Sequence, residues 1–277
     1  MEPQRYSNSQ FKVEVGDQVA TIWPAKFLDA DGHARAEEGG IPAALTLARL
    51  LSEMRFDDEI RVIVLHRGGK NHTGNPSSHY RGAAWQKKVN QPQNKWRTWG
   101  GIVRLMEIMC LTEKVIVTQL DGDVIGGGCY LALAADFIVA RKGSRFMDHH
   151  LGMGEAEPFG PPFGFVPGDG GLSLAPLFFS PPIAKEFLML AKEFTAEELA
   201  AQGVINYAVD ADKIDGVVAD LVARLLKRPA YALAWAKRVA NKHVIQQLNL
   251  TLDAGVGYQM TGMAQLEMQG WEDRLTL

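Results

Sequence analysis

Three consecutive glycines, Gly126, Gly127 and Gly128, follow a β-branched run and an Asp121-Gly122-Asp123 turn, and they open the apolar stretch 129–135. Glycine at such a turn lets a ligand approach bare backbone. The first turn of a helix also carries unpaired N–H groups and partial positive charge. Together these favour an anion, or a carbonyl oxygen that becomes negative during reaction. The same residues would equally serve as a tight turn packed against a neighbouring strand, and the pattern leaves both open. A phosphate loop is excluded, because no Gly-Lys-Ser/Thr follows and Gly-x-Gly-x-x-Gly is absent.

A second concentration of reactive side chains lies downstream. Residues 148–171 are rich in Gly and Pro and hold Asp148, His149, His150, Glu155 and Glu157, with Asp169 between Gly168 and Gly170. Long ordered loops of this composition are usually functional. A carboxyl near apolar walls has a raised pKa and can move protons; Asp169 suits that role and suits turn capping equally. His149 and His150 are adjacent, and neighbours on an extended segment face opposite ways, so at most one is expected to point inward. No ligand pair shows helical i, i+4 spacing, so neither a metal nor another cofactor is expected. Tyr80, Trp85, Trp96 and Trp99 form an aromatic segment. Trp85, with His79 and Phe163, is assigned to the substrate wall.

These groups need a scaffold. Residues 11–15 and 19–23 alternate about Gly16-Asp17 and read as a β-hairpin. Residues 41–54 carry Leu47, Leu50, Leu51 and Met54 at helical spacing behind Pro42. The short runs 61–66, 115–119 and 137–140 read as buried strands. Thr195 and Glu198 form a capping box, Gly203 ends that helix, and 204–209 reads as a further strand. Residues 214–225 are cleanly amphipathic, Pro229 opens another helix, and 248–268 reads as the last. Strand–helix–strand order implies crossovers and a mostly parallel sheet, hence an α/β core followed by helices.

The 277 residues, 47% of them hydrophobic, suffice for one large domain or a core with a helical appendage. A net charge of −3 without a basic stripe argues against nucleic acid as a partner. Cys110 and Cys129 sit in apolar stretches and read as reduced, buried thiols. Residues 1–10 lack an apolar signal-peptide core. No apolar run reaches the roughly 18 residues of a membrane span. A soluble, cytoplasmic protein without a membrane partner is expected.

In order and spacing, the motifs resemble the crotonase (enoyl-CoA hydratase/isomerase) superfamily. The strand, Asp121-Gly122, the glycine triplet and the helix ending at Asp136 resemble its central signature. His72-Thr73-Gly74-Asn75 resembles its first oxyanion segment, and Pro167-Gly168-Asp169-Gly170-Gly171 its Pro-Gly-x-Gly-Gly loop. The likeness covers most of residues 11–265. It implies an α/β fold with a crotonase-like ββα spiral core over 1–205, a C-terminal helical trimerisation region over 206–277, and a homotrimer or dimer of trimers. It also implies that the backbone N–H groups of Asn75 and Gly127 form an oxyanion hole, each worth roughly 3–4 kcal/mol in a dry site.

The chain departs from the family where its hydratases activate water. Their glutamates lie two residues after the triplet and seven before the loop proline; here those positions are Tyr130 and Gly160. Tyr130 joins Asp169, His149, His150, Glu155 and Glu157 as an acid–base candidate, and ordinary enoyl-CoA hydration is not expected. The Pro-Gly-Asp-Gly form resembles the β-diketone hydrolases of the 6-oxocamphor hydrolase type, which cleave a carbon–carbon bond by a retro-Claisen step without CoA. That branch has histidines at the positions of Gly127 and Gly160 and a glutamate near Gln259, so His149 or His150 would have to compensate. Residues 24–27 and 271–277 lack the family's usual CoA-associated patterns. The resulting expectation is an enolate-stabilising hydrolase or lyase acting on a cyclic or β-dicarbonyl small molecule. Two alternatives stay open: a hydratase or isomerase of an unusual CoA thioester, and an inactive crotonase-fold binding scaffold.

Overall fold

The computed structural model describes residues 6–8, 10–24, 43–67, 92–148, 150–151 and 165–268. Phe11–Gly16 (β1) and Val19–Pro24 (β2) form the expected antiparallel hairpin. Ala43–Arg55 (α1), Val62–Arg67 (β3), Pro92–Leu111 (α2) and Val115–Leu120 (β4) follow. The centre of the chain holds Val124–Ile125 (β5), Gly127–Leu133 (α3), Phe137–Arg141 (β6) and Arg145–Met147 (β7). Next come Gly171–Phe178 (α4), Pro181–Met189 (α5), Phe194–Thr195 (β8), Ala196–Ala201 (α6) and Tyr207–Val209 (β9). Ile214–Leu226 (α7), Ala230–Ala240 (α8) and Lys242–Met268 (α9) complete the described chain.

The strands form a six-stranded sheet in the order β1-β2-β3-β4-β6-β9, parallel beyond the hairpin. A smaller sheet runs β5-β7-β8. The apolar strands divide between two cores by simple alternation. Val62, Val64, Val115, Val117 and Val139 face α7, whereas Ile63, Leu65, Ile116 and Ile138 join the cluster that includes α1, α2 and α3. Covering both faces explains why these strands read as unbroken apolar runs. Each fully buried branched aliphatic there contributes roughly 1.5–3 kcal/mol.

Three readings of the sequence shift. Only Tyr207–Val209 joins the sheet from the predicted 204–209 strand, because Val204 N–H instead donates to Leu199 O at 2.9 Å and closes α6 behind Gly203, whose φ is 74°. The last helix starts at Lys242 rather than at residue 248: Val244, Leu248 and Leu252 form one buried stripe among polar neighbours. Helix α2 was not predicted, since Gly100-Gly101 interrupts its pattern. Gly101 is there because α1 passes close by, with a Cβ at that position only 3.1 Å from Leu45 Cβ.

Asp136, the last residue of the signature, acts as a clamp. Its carboxylate accepts Ile116 N–H at 2.7 Å and pairs with the nearly buried Lys237 Nζ at 2.7 Å, and Lys237 also donates to Lys114 O. Helix α8 is thereby tied to the start of β4. Both cysteines are buried and free, as expected, and burial pushes the Cys110 thiol up to about 12. Among the described residues no helix is long and apolar enough to cross a membrane.

Candidate active site

At the end of β4 the chain turns through residues 121–126 into α3. Gly126 holds φ 53° and ψ −125°, a conformation closed to ordinary side chains, and its N–H donates to Met147 O at 2.9 Å. That bond and the β5–β7 pairing bring the end of β7 alongside the glycine turn. Gly127 occupies the first position of α3, where a backbone N–H has no partner within the helix. Among the described residues it makes no other hydrogen bond.

The residues that follow β7 are therefore delivered to this turn. Asp148 is fully buried, and its Oδ1 accepts His150 N–H at 2.7 Å. The same carboxylate faces His150 Nδ1, at 3.1 Å and 3.3 Å from its two oxygens. On the other side of the ring, His150 Nε2 lies 3.6 Å from Asp169 Oδ2, an ion-pair distance rather than a direct hydrogen bond. Asp169 Oδ2 in turn stands 2.6 Å from where a Cβ on Gly127 would be. The order is Asp148, His150, Asp169, then the bare face of Gly127.

The glycines around Asp169 explain how it is held there. A Cβ on Gly168 would lie 2.0 Å from the Gly255 carbonyl oxygen of α9. One on Gly171 would lie 2.5 Å from Tyr130 Cζ, and Gly170 has φ 122° with Tyr130 Cβ 3.0 Å from its Cβ position. The loop is thus wedged between the α9 backbone and the Tyr130 ring. Phe165 N–H donates to His150 O at 3.1 Å, and the two rings meet edge-on at 5.5 Å.

Burial alone would lower the His150 pKa, but the adjacent Asp169 and Asp148 outweigh it and raise it to about 9. The ring is an imidazolium at neutral pH. Burial pushes the Asp169 carboxyl upward, with Asp148 adding to the rise and His150 opposing it. The two directions agree physically: two carboxyls and one imidazolium leave one excess negative charge in a dry cluster, and the outer carboxyl is where a proton relieves it. Asp169 can therefore both accept and return a proton.

Of the residues singled out from sequence, the structure brings together Gly127, His150 and Asp169. Tyr130 is fully buried beneath Gly170 and Gly171, and its hydroxyl has no hydrogen bond among the described residues. Its ring packs against the loop that carries Asp169. Asn75, His79, Trp85, His149, Glu155, Glu157 and Phe163 lie outside the described residues. The partnership of Asp148 with His150 was missed, although Asp-x-His places both side chains on one face of an extended segment. Among the described residues no group of three such side chains is arranged to hold a metal ion, and the two ring nitrogens of His150 are each turned to a different carboxylate.

Comparison with known proteins agrees with this architecture. Carnitinyl-CoA dehydratase of Salmonella enteritidis PT4 is 30% identical over 189 residues, 67% of this chain and 65% of the relative. The chain thus spans slightly less than two thirds of the length of that curated relative. An enoyl-CoA hydratase/isomerase structure from Mycobacterium paratuberculosis superposes with a TM-score of 0.76 at 19% identity, covering 92% of this chain and 94% of that one. A beta-diketone hydrolase from Anabaena sp. PCC 7120, bound to (S)-3-oxocyclohexyl acetic acid, gives 0.75 at 15% identity, covering 96% of this chain and 100% of that one. Both likenesses establish the fold. Residues 44–272 match the Enoyl-CoA hydratase/isomerase sequence profile, and with the glycine turn and spiral core in place the chain belongs to that family, the crotonase superfamily of enzymes.

Proposed function

We propose that this enzyme hydrolyses a carbon–carbon bond in a cyclic or β-dicarbonyl substrate, with Asp169 as the proton-transfer group. The observation that carries the reading is the buried Asp148–His150–Asp169 series ending against Gly127. Asp169, as carboxylate, takes a proton from water while the oxygen attacks a substrate carbonyl. The resulting oxyanion sits on the Gly127 N–H, with Asn75 N–H as the second donor by family resemblance. Collapse breaks the bond between that carbon and the neighbouring α-carbon, leaving a carboxylic acid and an enolate. Protonated Asp169 returns its proton to the α-carbon. The sum is one diketone plus one water giving one keto acid.

Charge supports this assignment. A carboxylate beside a developing oxyanion would oppose it, but Asp169 loses its charge in the same step in which the oxyanion gains one. His150 acts as a positioning residue, holding Asp169 as an anion in the resting site, and Asp148 orients the imidazolium. The replacement of the family's glutamate by Tyr130 is consistent with proton transfer from this other group.

A second reading is hydration or dehydration of an unusual CoA thioester, favoured by the 30% identity to carnitinyl-CoA dehydratase. The same hole and Asp169 would serve it. Turnover of a dimethylated cyclic β-diketone without CoA, lost in Asp169→Asn, is the expected result. Calorimetric binding of CoA thioesters together with no diketone turnover would overturn the hydrolase in favour of the second reading.

We also infer assembly as a trimer or dimer of trimers through residues 206–277. The exposed Tyr231, Trp235 and Val239 on one face of α8 support it. Sedimentation of a monomer at micromolar concentration would refute it.

A further inference from the structure

Two buried polar side chains play no part in the chemistry above. Gln259 on α9 is 0% exposed, yet neither its amide oxygen nor its amide nitrogen has a hydrogen-bond partner among the described residues. Trp99 on α2 is 5% exposed, and its indole N–H is likewise unbonded. Other buried atoms share this state, but Gln259 is the described residue with two such atoms. An unpaired buried amide costs stability that an apolar side chain of the same shape would not. A position with no use for the amide would favour Met or Leu.

Both groups belong to the wall that flanks the acid–base cluster. Trp99 and Val256 pack on Phe165, with Met260 at the rim, and Phe165 stands edge-on to His150 at 5.5 Å. Gly255 and Gly262 let α9 press on the loop carrying Asp169, Gly255 at Gly168 and Gly262 at Phe165. Gln259 lies between these glycines, i+4 from one and i−3 from the other, so its side chain leaves the helix on the face that meets the loop. The other members of that cluster are apolar.

We propose that Trp99 and Gln259 form a polar subsite that holds the second carbonyl oxygen of the substrate, neutral in the bound diketone and negative in the enolate that cleavage leaves, while the first occupies the oxyanion hole. This deepens the enolate reading and rests on it. Trp99 offers one donor; Gln259 offers two donors and an acceptor. Two donors from different helices suit one carbonyl oxygen, and the amide oxygen is free for a hydroxyl or water. A β-dicarbonyl supplies one carbonyl oxygen for each site.

The test uses calorimetry on Asp169→Asn protein, so that nothing turns over. The probes are a dimethylated cyclic β-diketone and its matched monoketone. The diketone is expected to bind about tenfold more tightly, a difference of about 1.4 kcal/mol. Adding Gln259→Met or Trp99→Phe should each reduce the preference to under about threefold, because each removes a donor. Gln259→Met alone should unfold at the same temperature or higher. Loss of several degrees in that variant, or a preference that survives both substitutions, overturns the subsite. So does absence of any preference in the starting protein. Preferential binding by a protein that never hydrolyses the diketone overturns the reaction proposed above and leaves the subsite standing.

Discussion

Asp169 Oδ2 and a Cβ on Gly127 would compete for one volume, their centres only 2.6 Å apart. The glycine therefore does two things. It exposes a backbone N–H, and it admits the carboxylate that works beside it. A buried carboxylate and a helix-start N–H are brought close together by the absence of a side chain. Gly127→Ala is expected to displace Asp169 and lower kcat by about 10²- to 10⁴-fold, the scale of losing a positioned proton-transfer group. Steady-state kinetics beside a thermal melt would check this. A drop in activity far larger than any loss of stability is the expected pattern.

The pH profile follows from the cluster. Asp169 must be ionised to take a proton from water, and its pKa is raised by burial. The acidic limb of kcat/KM should therefore lie above the ordinary carboxylate range. His150 must keep its proton to hold Asp169 as an anion, so activity should fall again near pH 9. Asp148→Asn removes one of the charges that raise the His150 pKa, and should move the alkaline limb to lower pH. A profile flat from pH 5 to 10 in the parent would contradict the assignment.

The same shift bears on stability. A histidine whose folded pKa exceeds its unfolded value of 6.5 stabilises the fold fully below that value, and the contribution disappears as pH rises through about 9. Asp169 acts in the same sense at lower pH: its raised pKa favours the neutral form, so its ionisation weakens the fold as pH rises above the usual carboxylate value of 3.8. Denaturant melts of His150→Gln should lose most of the stability change between pH 6.5 and 9 that the parent shows.

Gly168 tests how the loop is held. A Cβ there meets the Gly255 carbonyl oxygen, a backbone atom, at 2.0 Å, with no flexible side chain to yield. Gly168→Ala should lower the melting temperature by on the order of 10 °C, reflecting several kcal/mol of overpacking. Gly216 in α7 has nothing within 4 Å of its Cβ position. Gly216→Ala should stabilise by roughly 0.5–1 kcal/mol through helix propensity. Differential scanning calorimetry of the pair checks both signs.

Lys237→Met would leave Asp136 buried without its counter-charge, its carboxyl already pushed up by burial. A loss of roughly 3–5 kcal/mol is expected, and pairing it with Asp136→Asn should recover part of that loss. Chemical denaturation of the single and double variants measures the coupling.

The local chemistry of the sequence determined much of this protein. Alternation in 11–23, β-branched runs at 62–67 and 115–120, and the capping box at Thr195 all declare themselves through neighbours in the chain. The glycine turn and the Pro-Gly-Asp-Gly loop did so as well, because a backbone that must twist or pack closely leaves glycine behind as a trace. What the sequence could not determine was which acid meets which base. Asp148 and His150 come to the glycine turn because β5 pairs with β7, and Asp169, on the loop against which α9 presses at Gly168, stands between His150 and Gly127. Helix α2, hidden by Gly100-Gly101, supplies Trp99 only because α1 approaches at Gly101. Side chains converge through contacts between distant segments, and those depend on register and packing that no short window of residues encodes.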